Sequence, residues 1–313
     1  MNRAKFAGRG YLVMIAAAIA GSLLIGFSGL GKRFDLYSAS AVSELLFLIP
    51  VLVAVCMDKF NVLRGVKLRP VGIRVILWSL LLGLLLLPVA LLLNLLTQFL
   101  VPNAVSTVMS NLSAMPLWLN FLYIAVLPAI VEEYIFRGVF FQAFRADGLV
   151  KTALYTGAMF GLAHLNLNQF LYAMVMGVLF AFLDEAAGSV YASMLAHTVI
   201  NGFNVLMFQL MTTDLPENVT SAIVEAQSRT SSVEDISLIW WILLTAIATA
   251  CFILAIIIIR QIAKTTGREK LFSEACRGRD KLRGKEGRAF TVELLIGLLV
   301  PVVYIGVTMI TMS

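Results

Sequence analysis

Residues 75–100 read VILWSLLLGLLLLPVALLLNLLTQFL, a run without a single Asp, Glu, Lys or Arg. An α-helix rises about 1.5 Å per residue and a bilayer's hydrocarbon core is about 30 Å thick, so a stretch of this length crosses a membrane with room to tilt. Similar stretches recur at 11–30, 38–57, 116–144, 151–164, 168–183, 188–210, 238–259 and 290–312. The predicted fold is all-α, a polytopic transmembrane helical bundle of eight to nine spans. The count turns on 151–164, which is short for a full crossing, and on 116–144, which is long enough to tilt or break near Pro128.

Bulk composition agrees. Of 313 residues, 60% are hydrophobic and 13% charged, with a mean hydropathy of +0.92; a soluble domain carries about 25% charged residues. Arg3, Lys5 and Arg9 precede the first stretch and Ala18-Ile19-Ala20 resembles a signal-peptidase site, yet apolar sequence continues to Leu30, so the segment reads as an uncleaved anchor.

Loop charge sets orientation. Lys59, Arg64, Lys67, Arg69 and Arg74 crowd the second connection, and 260–289 holds ten Lys and Arg, which places both on the cytoplasmic side. The connection 101–115 is uncharged, and 211–237 carries Asp214, Glu217, Glu225, Glu234 and Asp235 against Arg229, as external loops do. Nine spans with a cytoplasmic amino terminus satisfy every connection except Lys32-Arg33. The expected layout is thus N-terminal membrane helices over 1–115, a helical core over 116–210, an external loop at 211–237, and C-terminal helices over 238–313 with a basic cytoplasmic loop at 260–289, of which 263–289 is expected to be flexible or weakly helical. The net charge of +6 belongs to membrane topology and anionic headgroups, and nucleic acid is not an expected partner. Cys56, Cys251 and Cys276 show no paired spacing.

Ionisable groups are costly in a bilayer, about +2.5 to 3.5 kcal/mol each at its centre, so those within spans are functional candidates. Glu133 and Arg137 stand four apart and can pair on one helix face, whereas Glu132 points about 100° away and is left for chemistry. The alternative is that all three form a buried polar clamp. The only two histidines are His164, four residues after Phe160, and His197, four residues before Asn201. Gly157, Gly161 and Gly177 permit close helix approach around them. Counted from their cytoplasmic ends, Glu132, His164 and Asn201 each lie about 20 Å along a helix and can share one layer. A carboxylate, two imidazoles and a carboxamide suit amide hydrolysis. Glu132 would take a proton from water with His164 orienting it, and His197 with Asn201 would donate to the oxyanion.

The ordered pattern E-E-x-x-x-R (Glu132, Glu133, Arg137), F-x-x-x-H (Phe160, His164) and H-x-x-x-N (His197, Asn201) resembles the signature of the CPBP (Abi) intramembrane protease family, which includes the type II CAAX prenyl endopeptidases. The resemblance implies a glutamate-dependent membrane endopeptidase in a prokaryotic plasma membrane, with Glu132, His164, His197 and Asn201 catalytic and Glu133, Arg137 and Phe160 supporting. It implies a peptide or membrane-protein substrate, prenylated in the CAAX branch, and no required cofactor.

Three other readings compete. A zinc site would use Glu132, His164 and His197, although no HExxH is present. A serine enzyme would use Ser189 or Ser193 near His197. A proton-coupled transporter, or an immunity or scaffold protein, would use the same polar residues without turnover, but no internal repeat supports a transporter.

Overall fold

Among the described residues, all regular structure is helical, as long apolar runs require when backbone groups must pair within their own segment. The computed structural model describes residues 3–30, 34, 36–57, 66–101, 116–212, 219, 233, 236–279 and 291–312. In chain order the helices are α1 (Arg3–Phe27), α2 (Leu36–Met57), α3 (Ile73–Gln98), α4 (Leu117–Asp147), α5 (Leu149–Ala163), α6 (Leu167–Ala187), α7 (Tyr191–Thr212), α8 (Leu238–Thr265), α9 (Glu269–Cys276) and α10 (Val292–Met312).

Seven of them, α1–α4, α6, α8 and α10, are long and apolar enough to cross a membrane. The other three are α5, which is apolar but only 15 residues long, α7, which carries His197, Asn201, Asn204 and Gln209, and α9, which is only eight residues long. Large apolar side chains point outward all around, among them Leu24 (68% exposed), Ile73 (66%) and Leu238 (73%). Such an outer surface suits lipid and would be a liability in water.

Local chemistry marks the boundaries. Gly148 (φ 98°) separates α4 from α5, and Gly188 (φ 72°) ends α6, both in backbone regions that a Cβ disfavours. Asn166 caps α6, its Oδ1 accepting from the Gln169 amide at 2.8 Å. The expected disturbance near Pro128 is a change of winding rather than a break. Residues Phe121–Val126 are π-helical immediately before it, because the proline lacks an N–H and its ring crowds the preceding turn. A second π-helical stretch, Tyr134–Phe140, begins directly after Glu133.

One boundary is corrected, and the described part of the basic loop falls on the helical side of its expectation. The first helix begins at Arg3 rather than near residue 11, and Arg9 within it pairs with Glu293 of α10 at 3.1 Å. The basic loop is helical to Thr265 and again in α9, where Phe272 and Ala275 bury against the core beneath a charged outer face. Lys32, Arg33, Lys59, Arg64, 102–115, most of 213–235 and 280–290 lie outside the described residues.

The sharing of ends is informative. Glu185, at the end of α6, meets Lys67 at 3.1 Å, Arg145 at 3.2 Å and Arg268 at 3.5 Å. Lys67 and Arg268 come from the α2–α3 and α8–α9 connections and Arg145 from the last turn of α4, so the helix ends at four alternate connections meet at one end of the bundle. At the other end, the Thr97 hydroxyl near the end of α3 donates to the Asn168 carbonyl at 3.2 Å, just after the α5–α6 turn.

Candidate active site

The site lies where two apolar cores meet. One gathers α3 and α5–α9 and includes Phe180; the other gathers α1, α2, α4, α5 and α10 and includes Phe136 and Phe160. Within α4 the side chains of Glu132, Glu133 and Arg137 are all buried.

Glu133 is the junction. Its Oε1 lies 3.1 Å from Arg137 Nη1 and 2.9 Å from His197 Nδ1, reaching from α4 to α7. An ionised Glu133 can only accept, which puts a proton on His197 Nδ1. His197 Nε2 then lies 3.7 Å from Glu132 Oε2. The imidazole is therefore flanked by the two adjacent carboxyls, which the 100° step between neighbouring helix positions makes possible.

Arg137 is entirely buried, and its contact with Glu133 is Coulombic, since none of its guanidinium nitrogens has a hydrogen-bond partner among the described residues. The cation is held instead by ring faces: its Cζ lies 4.4 Å from the Phe160 centroid, 5.4 Å from Phe180 and 6.0 Å from Phe136. Cation–π contacts of this desolvated kind contribute about 2 kcal/mol. Space for them comes from glycine. A Cβ on Gly177 would stand 2.9 Å from Gly157 Cα and 3.2 Å from Arg137 Nη2, and one on Gly161 2.6 Å from the Phe170 carbonyl.

His164 reaches the cluster through Phe160, whose ring is 5.0 Å from its own and 5.9 Å from that of His197. Its Nδ1 lies 2.9 Å from the Phe160 carbonyl, and the charged contact of Glu132 is with His197 rather than with His164. His164 is followed by Leu165 in the left-handed region (φ 55°), an unusual conformation for a leucine beside a candidate site. Asn201 stands one turn beyond His197 on α7 and is half-buried.

The competing serines have other work. The Ser193 hydroxyl donates to Asp184 Oδ2 at 2.8 Å and Ser189 to the Arg69 carbonyl at 2.6 Å. Among the described residues no group of three His, Cys, Asp or Glu side chains is placed to hold a metal ion.

Sequence reading missed Phe180, which lies 5.7 Å from His197 ring to ring, and Glu44. Phe180 gives no sequence signal among so many apolar residues. Glu44 does, as the one charged residue of 38–57.

Residues 114–203 match the family described as Rce1-like, Type II CAAX prenyl endopeptidase Rce1-like. The central segment is thus similar to the Rce1-like family. This Rce1-like segment contains every motif residue from Glu132 to Asn201 and leaves α1–α3 and α8–α10 outside it. The chain is also similar to the Bacillus subtilis (strain 168) protein named "Putative membrane peptidase YdiL", 31% identical over 84 residues, which cover 26% of this chain and 34% of that protein. The chain thus matches about a third of that relative's length. No solved structure matches.

Proposed function

We propose that the protein is an integral-membrane endopeptidase of the CPBP type that hydrolyses a peptide bond by glutamate-activated water. The observation that carries this reading is His197 held between Glu133 and Glu132 in an apolar interior. Glu132 takes a proton from water, the water oxygen bonds the scissile carbonyl carbon, and the proton then passes to the leaving nitrogen as the C–N bond breaks. His197, in its doubly protonated form, gives Nδ1–H to Glu133 and turns Nε2–H to the developing oxyanion, with Asn201 as the second donor. His164 orients the water from α5. Glu133 and Arg137 hold α4 and the imidazole in place.

The substrate in this reading is a peptide or membrane-protein segment, with CAAX-type prenylated peptides as the first candidates because the Rce1-like family description names that class. The reading requires no metal. The chain crosses a prokaryotic plasma membrane nine times with its amino terminus cytoplasmic, a layout supported by the alternate connections that meet at Glu185 and by their basic residues. The catalytic core is 116–210, flanked by membrane helices over 1–115 and 238–313.

The test is cleavage of quenched peptides, prenylated and unprenylated, by purified protein with and without a strong chelator. Cleavage that survives chelation supports the reading, and lipid dependence sorts the substrate class. Failure of the folded protein to cleave any peptide favours a scaffold or proton-relay role for the same residues.

A further inference from the structure

Glu44 lies on α2, outside the Rce1-like segment, yet it faces the site. It is 7% exposed, and its Oε2 is enclosed with no hydrogen-bond partner among the described residues. A carboxyl in that condition within a membrane helix is expensive, and a buried polar atom without a protein partner calls for a water or a function.

Its position follows from the register between α2 and α4. The Tyr37 hydroxyl donates to Asn120 Oδ1 at 3.3 Å and the Ser40 hydroxyl to the Tyr123 carbonyl at 2.9 Å, both at a sequence offset of 83. A constant offset means parallel helices. Tyr37, Ser40 and Glu44 follow i, i+3, i+7 spacing and so share one face of α2. The same offset sets Glu44 level with Leu127, five residues before Glu132 and about 7.5 Å along the axis. Between two carboxyls so placed, a water finds the two polar partners that a buried water needs.

We propose that Glu44 is a further catalytic residue: its Oε2 accepts one O–H of the attacking water while Glu132 accepts the other. Held by both hydrogens, the water presents its lone pair to the carbonyl carbon. Glu132 removes its proton and returns it to the leaving nitrogen, and the hydrogen on Glu44 stays with the oxygen that becomes part of the new carboxyl group. This role rests on the hydrolytic reading above. It would extend the chemistry to a helix that the family match does not reach.

The experiment compares the full-length wild-type protein with Glu44→Leu and Glu44→Gln. Glu44→Leu is expected to lower kcat by about a hundredfold with KM unchanged, the scale of loss when a reacting group is misplaced. Glu44→Gln should recover part of it, because the amide oxygen still accepts. Neither variant should melt below wild type, since each removes an unpaired buried carboxyl. Infrared difference spectra in D2O and 18O-labelled D2O provide a readout independent of turnover: a bound-water O–D band should be present in wild type and lost in both Glu44→Leu and Glu132→Gln. A folded Glu44→Leu that keeps wild-type kcat, or keeps the band, overturns the proposal. If wild type cleaves nothing, the hydrolytic reading fails, and persistence of the band in Glu44→Leu would show separately that Glu44 holds no such water.

Discussion

His197 Nδ1 lies 2.9 Å from Glu133 Oε1, joining the imidazole of α7 to the same carboxylate that neutralises Arg137 on α4. The second glutamate of the motif is thereby more than a charge partner for the arginine. It fixes the ring orientation, and with it which nitrogen faces Glu132.

Glu133→Gln is therefore expected to reduce kcat by about a hundredfold, because an amide does not hold the protonated imidazole in one orientation as a carboxylate does. Steady-state kinetics on the folded variant checks this. A change confined to KM would show that Glu133 does not act through His197.

Arg137→Lys keeps the charge but cannot lie flat among Phe160, Phe180 and Phe136. Loss of those ring contacts should destabilise the protein by about 1–2 kcal/mol, and Arg137→Met, which strands a buried carboxylate, by about 3–5 kcal/mol. Thermal unfolding in detergent should rank wild type above the lysine variant and the lysine variant above the methionine one.

Gly177→Ala brings a methyl group within 2.9 Å of Gly157 Cα and 3.2 Å of Arg137 Nη2, and should cost about 1–3 kcal/mol through forced separation of α5 and α6. Gly306→Ala is the control, because nothing stands within 4 Å of its added Cβ. Melting temperatures of the pair should separate, with Gly177→Ala the lower.

Glu185→Gln leaves Lys67, Arg145 and Arg268 around a neutral amide. The side chain and carbonyl of Glu185 both hold Arg268, the latter at 2.8 Å, so weakening this centre should loosen the start of α9. Limited trypsin digestion should cut at Arg268 and Lys270 sooner in the variant than in wild type.

The helical fold was legible because apolar runs of membrane-spanning length need no tertiary context to be read. The Glu133–Arg137 pair was legible too, since spacing of four on a helix is a local property. His197 between the two glutamates was not, because it depends on how α7 docks against α4, and the i, i+4 rule is silent across helices. The same limit hid Phe180. Helix α9 was obscured by its Arg- and Lys-rich surroundings, where the short apolar face of Phe272 and Ala275 is easily taken for loop. Glu44 was visible as a lone charge in an apolar run, but its relation to Glu132 required the register of two parallel helices.

The most direct test of the central claim is single-turnover cleavage by purified Glu132→Gln beside wild type, on one peptide that wild type cleaves and with both proteins shown to unfold at the same temperature. Loss of the general base should lower the rate by about 10²–10⁴-fold. Cleavage by the folded variant at the wild-type rate would contradict the assignment of Glu132 as the residue that activates water.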